Sequence, residues 1–288
     1  VCSSDLASAE RYQDPYINTP AGSKTYKGKF GTDVFLDHMF KFMKKHKKDP
    51  MCIYFPMALP HTPLVTTPDE PKVSSKLGRH KAMVRYMDKA VGLIVEELDS
   101  LGIRDNTILI FTTDNGSTPS ITGTRNGTKL NGGKSKEIEA GVCAPFIVNY
   151  PGKVPAGVVT EALTDFSDLL PTFVELGGGQ LPKDLVVDGL SIAPVILGKE
   201  NDSKRKWIMA LGFGQAKIDQ NGVKPRDPFI SRVIRDKKFK VWVSNQKEII
   251  RLHDLTEDPW EENNLIDSSV EAHKKAIRKF EGVLASVP

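Results

Sequence analysis

The feature that most constrains the fold is a β-branched apolar run that ends on an acid, an amide and a glycine. Residues 107–116 read Thr-Ile-Leu-Ile-Phe-Thr-Thr-Asp-Asn-Gly. A continuous apolar run of this length predicts a strand that is buried on both faces. Asp114 and Asn115 are then expected at the carboxyl end of this strand, where open α/β sheets bind their ligands.

This acid–amide corner, Asp114 with Asn115, has two interpretations. A carboxylate and an amide carbonyl are hard oxygen donors, which suit Ca²⁺ or Mg²⁺ rather than zinc. The alternative is an Asx-type turn that leaves the strand, because Asn-Gly forms such turns readily. The strand alone favours neither interpretation.

Polar groups also follow or precede two other predicted strands. Gly132-Gly133-Lys134 lies one loop downstream and precedes an apolar strand at 144–148, whereas the apolar run 51–55 leads into His61. A metal, a cation and an imidazole at one sheet edge would together bind a tetrahedral oxyanion and polarise an ester oxygen. The sequence therefore predicts an oxyanion site that includes Lys134 and His61.

Further segments occur in a characteristic order along most of the chain. They are Pro60-His61-Thr62-Pro63, Ala82-Met83-Val84, Met87-Asp88, Val91-Gly92, Asp105-Asn106-Thr107, Phe111 to Gly116, Gly132-Gly133-Lys134, Asp165 to Thr172, Asp188-Gly189 and Leu252 to Leu265. This order resembles the later portion of the type I sulfatases, arylsulfatase A-like members of the alkaline phosphatase superfamily. The resemblance implies an α/β fold, with an alkaline phosphatase-like mixed sheet flanked by helices, followed by a small C-terminal antiparallel sheet with a terminal helix.

The resemblance also implies an activity and roles for particular residues. The enzyme would be a sulfuric ester hydrolase acting on a small-molecule or carbohydrate sulfate, in the periplasm or outside the cell. Asp114 and Asn115 would be two of the four protein ligands of a single Ca²⁺, and Lys134 and His61 would contact the sulfate and the bridging ester oxygen. Arg125, in the Gly-, Thr- and Asn-rich loop that precedes Lys134, is a candidate ligand for a substrate carboxylate or sulfate, with a solvated arginine as the alternative.

Two parts of the family pattern are missing from this sequence. The nucleophile of the family is formylglycine, made from the first residue of a Cys/Ser-any-Pro/Ala-Ser-Arg motif, and none of the three cysteines lies in such a motif. The Asp-Asp pair that completes the calcium site is also missing. Residues 1–6, Val-Cys-Ser-Ser-Asp-Leu, back-translate to a sequencing adapter, so we expect a gene fragment that is inactive alone. An ordinary polar amino terminus is the alternative.

The predicted organisation has two parts. Residues 1–199 would be the later part of the catalytic α/β domain, with helices from Thr32 to Asp49, from Arg79 to Leu101, and from Leu169 to Leu176 behind a Ser167 cap. Residues 200–288 would form the C-terminal subdomain, with strands 229–234, 238–243 and 249–253 and a helix at 269–284. Glu261, with Trp260 and Glu262, is assigned to a turn and to no function. Cys52 and Cys143 are predicted to be buried free thiols.

Composition agrees with a soluble enzyme and excludes two classes. The chain has 288 residues, 39% of them hydrophobic, and a formal net charge of +4, which is too small to indicate a nucleic-acid-binding protein. No apolar stretch approaches the roughly 18 residues that span a membrane. Lys44-Lys45-His46-Lys47-Lys48 ends a predicted helix and is interpreted as a solvated helix end, with a polyanion site as the alternative.

Two other functions are compatible with the same sequence features. A phosphonate or phosphate monoester hydrolase of the same superfamily would share the scaffold and the metal-binding edge, and the nucleophile motif would distinguish it. A noncatalytic binder of sulfated glycans would use Lys134, His61 and the basic helix end. Such a binder would retain its anions after chelation of metal and after replacement of Asp114.

Overall fold

The computed structural model describes residues 9–125, 127–212, 216–220, 222–225 and 229–287. It forms two compact units, Val1–Ile108 and Leu109–Pro288. The adapter-like residues 1–6, with Cys2, lie outside the described ranges. The subdomain boundary between residues 199 and 200 stays a prediction.

The first unit is mainly helical. Strands β1 (Tyr16–Thr19) and β2 (Gly22–Thr25) form an antiparallel hairpin, and helices α1 (Gly31–His46) and α2 (Lys76–Ser100) contact each other. The side chain of Ser75 caps α2 by accepting a hydrogen bond from the Gly78 amide. Gly102 ends α2 with a φ of +67°, a conformation that glycine adopts without strain. Both helices confirm the sequence-based prediction, with ends shifted by one to three residues.

The second unit begins with short strands around a one-turn helix. Strand β3 (Leu109–Thr112) pairs antiparallel with β6 (Phe146–Asn149), and β4 (Thr122–Arg125) forms a hairpin with β5 (Thr128–Asn131). Helix α3 (Glu139–Val142) lies between β5 and β6 in the chain, and α4 (Leu169–Leu176) and α5 (Ala193–Ile196) follow β6. One-turn 3-10 helices occur at Ala9–Arg11 in the first unit, at Arg104–Asn106 before β3, and at Phe166–Asp168 before α4.

The C-terminal part of the second unit is an antiparallel sheet covered by a helix. The sheet order is β12 (Ile249–Asp254), β11 (Phe239–Val243), β10 (Arg232–Arg235) and β7 (Ile208–Leu211). A hairpin of β8 (Ala216–Asp219) and β9 (Gly222–Pro225) is inserted between β7 and β10 in the chain. Helix α6 (Glu271–Ser286) packs Ala276 and Phe280 against the sheet core. The predicted meander and terminal helix are confirmed, and β7 adds a strand that the sequence did not predict.

The predicted strand at residues 51–55 is wrong. These residues belong to no strand, and Ile53 and Tyr54 are 41% and 88% exposed. An apolar, β-branched run favours extended backbone, but a strand also requires a hydrogen-bonded neighbour, and the described part of this unit gives the run none. Cys52 in this run and Cys143 after α3 are free but exposed, so the prediction that they are buried is also wrong.

Two local predictions in the second unit need correction. Strand β3 is only half-buried, because within the described residues it pairs with β6 and with no second strand. The predicted Ser167 cap is wrong: the capping side chain is Asp165, which caps the 3-10 helix Phe166–Asp168 that leads into α4. The Asp165 carboxylate accepts a hydrogen bond from the Ser167 amide, and the Asp168 carboxylate accepts one from the Asp165 amide. These two hydrogen bonds form a capping box. No helix in the described ranges is both long and apolar enough to span a membrane.

Candidate functional site

The acid–amide corner follows β3 directly, as the sequence predicts. The Thr113 hydroxyl donates to the Asn115 carbonyl at 3.1 Å and closes a tight turn. The Asp114 side chain is exposed and that of Asn115 is half-buried. Among the described residues, neither side chain has a hydrogen-bond or ion-pair partner, so the oxygens of both can accept a ligand.

Gly116 explains why the chain turns here. Its amide donates to the Gly141 carbonyl at 2.9 Å, and a Cβ at Gly116 would lie 1.9 Å from the Ala140 carbonyl oxygen. Gly116 is not among the residues with positive φ, so a left-handed turn conformation does not account for this glycine. It is needed because the loop after β3 packs backbone to backbone against α3.

The loop that carries Lys134 packs on the same short helix. A Cβ at Gly133 would lie 2.6 Å from the Gly141 nitrogen, and one at Gly132 would lie 2.0 Å from the Thr118 carbonyl oxygen. The Lys134 amide donates to the Ser117 carbonyl at 3.0 Å. These contacts bring the Lys134 backbone to the segment that follows the acid–amide corner. We call the packed backbone of Gly116, Gly132, Gly133 and Gly141 the glycine seam.

The glycine seam leads to a prediction about stability. Gly141→Ala should lower the free energy of unfolding by about 1–3 kcal/mol or more, because its Cβ would lie 2.1 Å from the Lys136 carbonyl oxygen and 2.3 Å from that of Gly133. Urea denaturation measures the change. Gly282→Ala is the matched control, since nothing lies within 4 Å of its Cβ and alanine is the better helix former in α6. Equal urea midpoints of unfolding for the two variants would contradict the close packing of backbone around Gly141.

Lys134 is half-buried, and within the described ranges its ammonium forms no ion pair with a carboxylate. A positive charge at this position can attract an anion held by the neighbouring corner. Arg125 is the last residue of β4, where it pairs with Thr128. The Arg125 side chain lies outside what the structure describes, so its role in substrate binding stays a prediction.

His61 lies in the first unit, in a segment whose backbone is tightly held. The Tyr12 hydroxyl, itself fully buried, is 2.8 Å from the Ala58 carbonyl and 2.6 Å from that of His61, and the His61 amide donates to the Ala58 carbonyl at 2.9 Å. Burial raises the pKa of Tyr12 despite the nearby positive charge of Arg11, so the hydroxyl stays protonated and able to donate. The segment is therefore fixed while the imidazole itself is exposed.

The imidazole of His61 has two neighbours at the same nitrogen. Nδ1 lies 2.7 Å from the Thr62 carbonyl and 3.2 Å from Nη1 of Arg11. A carbonyl only accepts and a guanidinium only donates, so Nδ1 serves one of them at a time. The shorter contact, to Thr62, favours a proton on Nδ1 and leaves Nε2 as the nitrogen that exchanges protons with a ligand.

Sequence patterns did not reveal the residues that support His61. Tyr12 and Arg11 lie 49 and 50 positions before His61 in the chain. Neither belongs to a motif, and no periodicity connects them to the Pro-His-Thr-Pro segment. Their role follows only from the packing of Tyr12 against Phe30 and Leu59 in the core of the first unit.

The donor set for a cation is small. Within the described residues, no group of three or more His, Cys, Asp or Glu side chains could hold a metal ion. Asp114 and Asn115 supply two adjacent side-chain oxygens, one of them charged, which fits part of a Ca²⁺ site but not the 6–8 oxygens that Ca²⁺ usually takes.

Comparison with known proteins identifies the family. The family model described as Sulfatase matches residues 3–179, which is more than half of the chain. The chain belongs to the sulfatase family. A second model, N-sulphoglucosamine sulphohydrolase C-terminal, matches residues 137–285 of this sulfatase chain. The family predicted from the order of motifs is thus confirmed.

Two curated relatives illustrate that the match covers part of their length. The chain is 33% identical to an arylsulfatase of Hemicentrotus pulcherrimus over 63% of its own length and 33% of that protein. It is 28% identical to an N-acetylgalactosamine-6-O-sulfatase of Bacteroides thetaiotaomicron over 95% of its own length and 54% of that protein. The sulfatase chain therefore spans between a third and just over half of these two relatives.

Solved structures of sulfatases confirm the fold class. The crystal structure of Ps i-CgsB superposes with a TM-score of 0.73 at 25% identity, covering 92% of this chain and 57% of that one. A protein in complex with its substrate D-glucosamine-2-N,6-O-disulfate gives a TM-score of 0.73 at 18% identity, covering 96% and 72% of the two chains. The α/β sulfatase fold, with its C-terminal antiparallel sheet and terminal helix, is thus shown for this chain.

Proposed function

We propose that the complete gene product containing this chain hydrolyses a sulfuric ester, and that this chain supplies Asp114, Asn115, Lys134 and His61 to the site. The observation that carries the proposal is the glycine seam. In a member of the sulfatase family, it brings the backbone of Lys134 to the segment that directly follows the two oxygen donors, through the Gly116–Gly141 and Lys134–Ser117 backbone hydrogen bonds. That combination suits a metal-bound oxyanion.

Asp114 and Asn115 would hold the Ca²⁺ through their side-chain oxygens. When bound, such an ion withdraws negative charge from the oxygens of a sulfate group. The charged carboxylate of Asp114 contributes more to the electrostatic attraction of the ion than the amide of Asn115, which is a neutral oxygen donor. The Thr113–Asn115 hydrogen bond fixes the backbone from which both side chains extend, which lowers the entropic cost of binding.

Lys134 and His61 would act on the ester itself. The Lys134 ammonium would stabilise the negatively charged sulfuryl group and the ester oxygen that takes up the electron pair as the S–O bond breaks, and its half-buried position strengthens this interaction relative to bulk water. With Nδ1–H donated to the Thr62 carbonyl, Nε2 of His61 would deliver a proton to the leaving oxygen from the doubly protonated imidazolium, and the ring would return to its neutral Nδ1–H form. Arg125 remains our candidate for a further contact to substrate.

The cysteines of this chain do not fit the nucleophile of the family. Cys52 and Cys143 are exposed thiols in the sequences Cys-Ile-Tyr-Phe and Cys-Ala-Pro-Phe, which lack the Ser-Arg pair required for conversion to formylglycine. Cys2 precedes Ser-Ser-Asp and lacks it as well. We therefore derive no nucleophilic step from these residues.

The substrate class we propose is a carbohydrate sulfate ester. Relatives named as N-acetylgalactosamine-6-sulfatases and a structural neighbour in complex with a disulfated glucosamine support this class. A periplasmic or secreted location is part of the same proposal. Growth of the source cells on sulfated glycans, followed by fractionation and immunodetection, tests the location.

Replacement of Asp114 tests the proposed metal site. In the complete gene product, Asp114→Ala should lower Ca²⁺ affinity at least tenfold, which corresponds to about 1.4 kcal/mol, because the charged ligand is lost. Isothermal titration calorimetry measures the affinity, and release of sulfate from an N-acetylgalactosamine 6-sulfate substrate measures the accompanying loss of turnover. Asp184→Ala is the control, since Asp184 is equally exposed and lies outside the corner.

Two outcomes would contradict this proposal. Unchanged Ca²⁺ affinity in Asp114→Ala would place the metal elsewhere. Retention of a sulfated glycan after chelation of calcium, without any release of sulfate by the unmodified protein, would instead identify a noncatalytic binder. Calorimetry with the sulfated sugar, with and without chelator, distinguishes the two results.

A further inference from the structure

A buried network of charged side chains lies behind α3, inside the second unit. Its members are Glu139 at the start of α3, Arg235, Lys240 and Trp242 from the C-terminal sheet, and Glu261 from the turn after β12. The Lys240 side chain is fully buried and that of Glu261 is 3% exposed. The two cations and two carboxylates balance in charge.

Lys240 is held by three acceptors. Its ammonium donates to the Glu137 carbonyl at 2.6 Å, to Oε1 of Glu261 at 2.9 Å and to Oε1 of Glu139 at 3.1 Å. An ammonium has three donors, so each finds a partner. Arg235 contacts the second oxygen of Glu139. A buried charge is tolerated only with such complete pairing, which makes the relative positions of these groups specific.

Glu261 connects this network to the backbone of α3. Its Oε1 accepts a hydrogen bond from the Glu139 amide at 2.6 Å, across a separation of 122 residues, and its Oε2 accepts one from Nε1 of Trp242 at 2.9 Å. The carboxylate thus caps a helix to which it is not adjacent in sequence. Glu261 has a φ of +60°, a strained conformation for a residue with a side chain, and the network fixes it there.

Helix α3 is also the surface on which both functional loops pack. Gly116, next to the acid–amide corner, donates to the Gly141 carbonyl and touches Ala140. Gly133, next to Lys134, lies against Gly141 on the same helix. A displacement of α3 would therefore move the acid–amide corner and the lysine together.

We propose that Glu261, held by Lys240, is a positioning residue for Asp114 and Lys134. It acts by fixing the amino end of α3, and it contacts neither the substrate nor the metal. The consequence for hydrolysis rests on the proposed function, whereas the effect on the loops does not. The turn assignment made from sequence is therefore incomplete, because the Glu261 side chain has a role that its backbone position does not reveal.

Hydrogen exchange measured by mass spectrometry on the complete gene product tests the proposal. Both oxygens of Glu261 accept hydrogen bonds, and Glu261→Gln replaces one of them by an NH₂ group, which cannot accept. The variant therefore loses either the hydrogen bond from Trp242 or those from Lys240 and the Glu139 amide. Peptides that cover residues 113–118 and 132–136 should exchange at least tenfold faster than in the unmodified protein. Peptides from α6 should keep their exchange rates.

Two further variants complete the experiment. Arg235→Gln, at the more exposed edge of the network, removes one partner of Glu139 and should accelerate exchange at the same peptides at least threefold. Arg235→Gln provides the test of the proposal if Glu261→Gln does not fold. Glu257→Gln is the matched control, since Glu257 is exposed on the same turn segment and its side chain makes no contact with the network. Its exchange pattern should equal that of the unmodified protein.

Unchanged exchange at both loop peptides in Glu261→Gln and Arg235→Gln would overturn the proposal. Equal acceleration throughout the second unit, including α6, would also overturn it, because the network would then act only on global stability. If the unmodified protein releases sulfate, Glu261→Gln should lower kcat at least tenfold. If the unmodified protein releases none, the proposed function fails, and the exchange experiment still decides the positioning role.

Discussion

Replacement of Lys134 by alanine is expected to lower the kcat for sulfate ester hydrolysis by about 10²- to 10³-fold in the complete gene product. The reason is that, under the proposed function, the Lys134 ammonium stabilises negative charge that develops on the departing ester oxygen only in the transition state. The Lys134–Ser117 backbone hydrogen bond and the glycine seam fix the origin of the side chain, so a neighbouring lysine cannot replace it. Steady-state kinetics with saturating substrate measure the effect.

The control for this prediction lies in the β4–β5 hairpin, which precedes Lys134 in the chain. Lys129 is an exposed lysine of β5, paired with Thr124, and Lys129→Ala should keep kcat within about twofold because an exposed charge is screened by solvent and salt. Circular dichroism establishes that Lys134→Ala folds. A kcat equal to that of the unmodified protein in folded Lys134→Ala would remove the lysine from the mechanism.

Loss of the Asp168 carboxylate is expected to have the largest effect on stability. Asp168→Ala should lower the free energy of unfolding by about 3–5 kcal/mol, because it leaves the guanidinium of Arg205 buried without its counterion. Asp168 is fully buried and accepts hydrogen bonds from Nε of Arg205 at 2.9 Å, from the Leu190 amide at 2.7 Å and from the Asp165 amide at 2.8 Å. Although burial disfavours the charged form, Asp168 raises the pKa of Arg205 above its usual value.

Urea denaturation followed by circular dichroism checks this prediction. Lys237→Ala is the comparison variant, since it breaks the exposed ion pair with Asp202, and such pairs contribute little in water. Its midpoint should stay close to that of the unmodified protein. Similar midpoints for Asp168→Ala and Lys237→Ala would show that the buried pair is not a major source of stability.

The sequence predicted the elements whose signals are local. Helices α1 and α2 and the C-terminal meander follow from periodicity and from end signals such as Gly102, which a short window of residues contains. The position of Asp114 and Asn115 at the end of β3 follows for the same reason. The nearness of Lys134 was expected from the sheet-edge argument, but the actual cause is the packing of glycines on α3, which no strand pattern encodes.

The remaining features depend on contacts between distant parts of the chain. Glu261 and Glu139 are separated by 122 residues, and nothing in the neighbourhood of either residue indicates the other. The run 51–55 shows the opposite error, since its apolar residues suggested a buried strand although Tyr54 is 88% exposed. Local preference sets the backbone conformation of a segment, whereas its burial depends on partners that the segment does not contain.

The absence of side chains between the two loops and α3 limits how this protein can diverge. A point mutation at Gly116, Gly133 or Gly141 can only add atoms where backbones already touch. Even the smallest substitution there therefore disturbs the packing. The β4–β5 hairpin can accept substitutions, because the space beside Gly123 is open. Divergence among related chains should therefore leave the loops that carry Asp114 and Lys134 unaltered and accumulate substitutions along that hairpin.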